Sequence, residues 1–173
     1  MKVLIASDIH GNLEYTKKLD ELCDKENFDK IILLGDLIHN YYYYDPEEEK
    51  EVATILNKRA NITTSIIGNC DREYEIEKLN FPVAFEIDKI DLDNHSFFLT
   101  HGHLYSKYAD LIEDKYTFVG HSHVYNMEGK HLNPGSVGFP RNHKEHTCFI
   151  YNDHILTLID IDTHKILQKR ELK

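Results

Sequence analysis

Lys2-Val3-Leu4-Ile5-Ala6-Ser7-Asp8-Ile9-His10-Gly11-Asn12 opens with an apolar run and breaks abruptly into polar residues. A run this short, bounded by a turn-forming stretch, reads as a buried strand, with Asn12 placed to cap a following helix. The same transition recurs twice. Ile31 to Leu34 ends in Gly35-Asp36, and Ile62 to Ile67 ends in Gly68-Asn69-Cys70-Asp71. Between these runs lie helical stretches. Leu13 to Lys25 is amphipathic, with Leu13, Leu19 and Leu22 as core candidates. Asp45-Pro46-Glu47-Glu48-Glu49 combines a cap, a first-turn proline and acids at the positive end of the dipole, and the helix it starts runs to about Lys58. Strand, loop and helix in this order predict a parallel sheet with right-handed crossovers. Sites in such sheets form beyond the carboxyl ends of the strands, where the polar residues fall.

The second half changes character. Val83 to Ile90, Asp91 to Thr100, Tyr116 to Val119, Cys148 to Tyr151, Ile155 to Ile161 and Ile166 to Arg170 read as strands. Asp93-Asn94, Asn152-Asp153 and Asp162-Thr163 signal turns, so part of this half is expected to be antiparallel. Only Ser106 to Asp114 reads as a helix there. No repeat or linker divides the 173 residues, and one domain over 1–173 is expected.

Composition narrows the function. The 41% hydrophobic content is ordinary for a soluble protein, and no apolar run approaches the ~20 residues a membrane span needs. The N-terminal run is too short for a signal peptide, so a cytoplasmic protein is expected. Cys23, Cys70 and Cys148 are scattered and odd in number, which argues against disulfides and thiolate zinc sites. A formal charge of −10 repels a phosphate backbone, so no stable nucleic-acid complex is expected. Bound divalent ions would reverse that repulsion locally and admit a phosphate.

The 12 histidines carry the main clue. Two further motifs, His101-Gly102-His103 and Gly120-His121-Ser122-His123, also follow apolar runs. Any one of these motifs alone would be an ordinary cap or turn. Gathered at one sheet edge, they supply carboxylate, amide oxygen and imidazole. That mixture suits manganese, iron, zinc or nickel better than calcium or magnesium. Six or seven ligands exceed the needs of one ion, and a carboxylate can bridge two ions about 3.5–4 Å apart.

The ordered motifs D-x-H, G-D, G-N-x-D, H and G-H-x-H, spread over residues 8 to 123, resemble the calcineurin-like metallophosphoesterase superfamily. Gly68-Asn69-Cys70-Asp71 and Asn133-Pro134-Gly135-Ser136-Val137 are similar to its small bacterial and archaeal phosphodiesterase branch. The resemblance implies a four-layer α/β/β/α sandwich with two mixed central sheets. It implies one ion on Asp8, His10, Asp36 and His123, and a second on Asp36, Asn69, His101 and His121, with Asp36 as the bridge. Mn2+ is the leading expectation, with Ni2+, Fe2+ and Zn2+ as alternatives. The implied reaction is hydrolysis of a small phosphodiester by a hydroxide bridging the ions. Asp36 and Asn69 would act in catalysis, with His103 or Cys70 assisting the leaving oxygen. Much of the superfamily has histidine where Cys70 stands, and a thiol with a reference pKa of about 8.5 would be mostly protonated at neutral pH. A phosphomonoesterase on the same ions and a non-catalytic protein scaffold of the same fold are the rival readings. Homo-oligomerisation is left open. Tyr41 to Tyr44 cannot all be buried, and a protein contact or a partly exposed packing patch is weighed slightly above a pocket wall. His39, near Asp36, is weighed between facing the site and the surface, with the surface favoured; the histidines at 95, 131, 143, 146, 154 and 164 are expected at the surface, and Arg141 at the surface or near a phosphate. Cys23 and Cys148 are expected in the core.

Overall fold

A computed structural model describes residues 1–40 and 42–173, leaving Tyr41 outside. In chain order its elements are β1 (Lys2–Ala6), α1 (Leu13–Glu26), β2 (Lys30–Leu33), α2 (Pro46–Asn57), a 3-10 turn (Ala60–Ile62), β3 (Thr63–Ile66), α3 (Glu73–Ile76), β4 (Val83–Ala84), β5 (Ile87–Leu92), β6 (His95–Thr100), α4 (Tyr105–Ile112), β7 (Thr117–Val119), β8 (His131–Leu132), β9 (Thr147–Asn152), β10 (Ile155–Asp160) and β11 (Ile166–Glu171). The first sheet has the order β11-β10-β9-β1-β2-β3-β4, and the second β5-β6-β7-β8. β1 to β4 pair in parallel, while β9 runs antiparallel to β1 and continues into the β10 and β11 meander. In the second sheet β5 and β6 form a hairpin, and β6, β7 and β8 are parallel. Both sheets are therefore mixed, as expected.

The alternation within β1 explains its place at the centre. Val3 and Ile5 enter the core between the sheets, together with Phe97, Leu99, Phe118 and Leu132 from the second sheet. Leu4 and Ala6 point the other way, against Leu19 and Leu22 of α1 and Val52 and Ala53 of α2. Successive side chains alternate across a strand, so only an apolar run can be buried on both faces. The helices start where their caps dictate: Asn12 Oδ1 accepts from the Tyr15 amide at 3.2 Å, and Asp45 Oδ1 from the Glu47 amide at 2.9 Å. The outer layer on the second sheet is thin, with Ile112 the one buried residue of α4.

Three departures from the sequence expectation have local causes. The run Val83 to Ile90 splits, because Glu86 adopts a φ of 62° and carries the chain from one sheet to the other. The four-residue helix α3 and the two-residue strand β8 were not anticipated; both are too short to show a period. Among the described residues, no helix is long and apolar enough to cross a membrane.

Candidate metal centre

The loops after β1, β2, β3, β6 and β7 converge beyond the strand ends. Five of the expected ligands sit at positive φ: Asp8 at 55°, His10 at 49°, Asp36 at 53°, His121 at 68° and His123 at 61°. Such residues each carry roughly 1–3 kcal/mol of strain and persist only where their surroundings fix them. Here the loops fix one another. Asp8 N–H donates to Gly35 O at 3.1 Å, His10 N–H to Asp36 O at 2.8 Å, and Arg141 N–H to His123 O at 3.1 Å.

Each inner imidazole turns one nitrogen to a backbone carbonyl. His101 Nδ1 faces Leu34 O at 2.7 Å, His123 Nδ1 faces Phe139 O at 2.6 Å, and His10 Nδ1 faces His39 O at 3.3 Å. A carbonyl only accepts, so each Nδ1 holds a proton and each Nε2 turns inward, presenting a lone pair on any ring without a second proton. His10 Nε2 and His123 Nε2 then lie 3.2 Å apart. Asp8 Oδ1 is 3.3 Å from His123 Nε2 and 3.8 Å from His10 Nε2, yet it is buried with no hydrogen-bond partner. Two lone pairs and a carboxylate oxygen facing one buried space repel one another, and a cation removes that repulsion. Asp36 Oδ2 lies 3.5 Å from His10 Nε2 and 3.2 Å from His101 Nε2, so it spans both sides of the cluster. Asn69 Oδ1 lies 3.1 Å from His101 Nε2, and the Asn69 amide group donates to Cys70 Sγ at 2.9 Å, which turns the oxygen inward.

Asp8, His10 and His123 place ligand atoms within 4.8 Å of one another, and so do Asp8, Asp36 and His101. Asp8, His10, Asp36, His101 and His123 are buried, whereas Asn69 and His121 are exposed. The cluster is thus deepest around Asp8 and His10 and most exposed at Asn69 and His121. His121 stands at its rim, its ring centre 5.1 Å from that of His101. His103 is exposed as well, with its ring centre 5.5 Å from His101.

The charges follow the packing. Burial pushes the Asp8 carboxyl above its ordinary range, and pushes His10 down to about 4. Burial also opposes the charges of Asp36 and His101, but their mutual ion pair outweighs it. Asp36 is held well below the usual carboxylate range, and His101 is raised to about 9. Burial also lowers His121 and His103, and the charge on His101 adds to it.

Several supporting residues carry no signal of their own in the sequence. Asp71 accepts the amides of Asp36 at 2.8 Å, Leu37 at 2.7 Å and Gly68 at 2.7 Å, tying the second and third motifs together. Its fixed place in the G-N-x-D motif is the one clue to that role. Ser136 Oγ donates to Asp8 O at 2.7 Å, and Asn133 Nδ2 to Gly120 O at 2.8 Å, so the Asn-Pro-Gly-Ser-Val segment locks the first and fifth motifs. Two glycines are required by close approach. A Cβ on Gly68 would stand 2.1 Å from Asp36 Oδ1, and one on Gly120 would stand 2.0 Å from Ser7 Oγ.

Other expectations need correction. His39 is not at the surface: its side chain is 16% exposed and Nδ1 lies 3.4 Å from Glu75 Oε1. With Glu49 and Glu75 it forms a buried group braced by Lys78, 3.3 Å from Glu49 Oε2, and by the Arg72 amide, 2.8 Å from Glu75 Oε2. His131, on β8, and His143 and His146 are partly buried and hydrogen-bonded to backbone carbonyls, and His95 and His154 are partly buried against each other with their Nδ1 atoms 3.0 Å apart. Tyr42, Tyr43 and Tyr44 are exposed, but Tyr42 also lines a cavity beside His123, as does Arg141, so it is a pocket wall. Cys23 and Cys148 are buried, as expected.

This fold, with carboxylates and imidazoles gathered at its strand ends, defines a phosphoric ester hydrolase of the metallophosphoesterase class. A sequence model of the calcineurin-like phosphoesterase superfamily domain matches residues 1–154, and the chain belongs to that family. It is 31% identical over 176 residues to phosphodiesterase YfcE of Escherichia coli (strain K12), covering 96% of each chain. It is 26% identical over 177 residues to phosphodiesterase MJ0936 of Methanocaldococcus jannaschii, covering 95% of each. The solved structure of the E. coli phosphoesterase Yfce superimposes with a TM-score of 0.87 at 28% identity, over 100% of both chains.

Proposed function

We propose that this protein hydrolyses small phosphodiesters with two divalent ions, one on Asp8, His10, Asp36 and His123 and the other on Asp36, Asn69, His101 and His121. The observation that carries the reading is the position of Asp36 Oδ2 between His10 and His101. Bound divalent ions supply Lewis acidity and a water acidic enough to attack at neutral pH. The chain's own groups do the rest. The three inner imidazoles are locked with Nε2 inward by carbonyls, so the ligand geometry is set before an ion arrives. The exposed Asn69 side admits the substrate. His103, exposed at the rim and outside the proposed ligand set, is placed to hand a proton to a leaving oxygen. Cys70 acts first through its amide, which donates to Asp36 Oδ1 at 2.8 Å, and through Sγ, which orients Asn69.

The names of the two relatives support a diester over a monoester. Manganese is the leading ion on the chemistry of a mixed nitrogen and oxygen shell, with nickel, iron and zinc as alternatives. A charge of −10 favours small substrates over a stable nucleic-acid complex, in a cytoplasmic setting. The test is an activity matrix on chelated and reconstituted protein, crossing Mn, Ni, Fe and Zn with a mono- and a diester of the same alcohol. Diester turnover should appear on adding metal and vanish with Asp36→Asn in every cell. Turnover surviving Asp36→Asn, or monoester turnover alone, would defeat the proposal.

A further inference from the structure

A cavity of about 270 Å³ opens beside His123 and is lined by Tyr42, Phe139, Pro140, Arg141 and His146. It lies just below the ~300–1,000 Å³ range of ligand clefts, room for one compact group rather than a long chain. Its wall is aromatic and rigid. Phe139 and Tyr42 place their rings 4.9 Å apart, tilted by 50°, and Phe139 lies 6.1 Å from the His10 ring. The backbone of Phe139 is pinned on both sides: its amide donates to Ser136 Oγ at 2.8 Å, and its carbonyl accepts from His123 Nδ1 at 2.6 Å. The same residue therefore orients a metal-centre imidazole with its carbonyl and walls the cavity with its ring. Tyr42 is 75% exposed, so its ring has a face left to cover. Arg141 is anchored through its amide to His123 O at 3.1 Å. Among the described residues no side chain pairs with its guanidinium, which leaves a cation facing this cavity on an otherwise acidic protein.

We propose that this cavity is the subsite for one ester group of the substrate and that it selects an aromatic alcohol component, aryl or nucleoside. The inference rests on the phosphoesterase reading of the adjoining centre. A planar group entering beside His123 stacks on Phe139 and Tyr42, an interaction open to any π-face and indifferent to its hydrogen-bonding pattern. Arg141 offers the anionic ester a counter-charge on the same side.

The test compares phenylphosphonate with methylphosphonate by calorimetric titration into the manganese-loaded protein. Neither C–P bond is hydrolysed, so the affinity ratio does not depend on turnover, and any change common to both ligands cancels. The phenyl compound should bind about tenfold tighter or better. Phe139→Leu keeps apolar bulk without the ring, and Tyr42→Ala removes an exposed ring; the ratio should fall at least about threefold in one or both. A native ratio near one, or a ratio unchanged in both variants, overturns the subsite. A flat ratio in a protein that hydrolyses diesters defeats the subsite alone. A high ratio that the variants abolish, in a protein that cleaves no diester, upholds the subsite and defeats only the diester reading.

Discussion

Asp71 touches no ligand side chain, yet through backbone amides it fixes the loops that carry two of the ligands. Its oxygens accept the amides of Asp36, Leu37 and Gly68, so the loops carrying Asp36 and Asn69 share one carboxylate. Asp71→Asn turns one oxygen into a donor facing an N–H. It should lower unfolding free energy by about 2–3 kcal/mol in urea melts and weaken metal binding about 10–100-fold, as loss of such a supporting contact does elsewhere. Native stability with native metal affinity would remove Asp71 from this role. The protonation of His101 has a separate consequence. In the metal-free protein its pKa is raised from 6.5 to about 9. Its charge therefore stabilises the fold fully below 6.5, and that contribution is lost as pH rises through 9. His10 has the opposite sign: its pKa is lowered to about 4, so its contribution is present above 6.5 and lost as pH falls toward 4. A metal must displace the His101 proton, so binding between pH 7 and 8 should release a proton. Titrations in buffers of different ionisation enthalpy should show that release; a buffer-independent heat would contradict it.

At the scale of elements, the strand-end motifs were legible because each stands where a buried apolar run stops. Asp8, Asp36, Asn69, His101 and His123 could be placed at one edge from the sequence alone. The way the loops grip each other could not. Nothing in the spacing of Gly120 shows that its α-carbon packs on Ser7 and Asp8, because the end of β7 meets the end of β1 only once the two sheets pack face to face. The split between β4 and β5 was hidden for a similar reason, since a change of sheet leaves the apolar pattern intact. Gly120→Ala tests the grip. Its φ is not positive, so the effect is one of packing, with the new Cβ 2.0 Å from Ser7 Oγ and 3.0 Å from Asp8 Oδ2. Overpacking of this kind destabilises by about 1–3 kcal/mol. Thermal melts should show that loss, and adding Ser7→Ala should restore part of the stability but not the metal affinity, because Asp8 still loses its place and its Ser7 hydrogen bond of 2.6 Å. Equal recovery of both would mean that Gly120 acts on Ser7 alone.

On the scale of the whole molecule, the centre bridges the two sheets. Asp8, His10, Asp36 and Asn69 follow strands of the first, and His101, His121 and His123 follow strands of the second. The sheets also share one apolar core, in which Val3, Ile5 and Ile32 meet Phe97, Leu99 and Phe118. Neither sheet can bury its inner face without the other, so unfolding of 1–173 should be a single transition in which both halves lose structure together. Ligands drawn from both sheets mean that an ion binds the native state and has no equivalent site on either sheet alone. Metal should therefore shift the entire transition upward and leave its cooperativity unchanged. The stabilisation should approach about 2.7 kcal/mol for each ion site at which free metal is a hundred times the dissociation constant. Tyrosine fluorescence and far-ultraviolet circular dichroism, recorded on chelated and metal-loaded protein, should give coincident melts in each state. Two separated transitions, or a metal-induced shift in only one signal, would show that the sheets fold as independent units and that the centre forms after they dock.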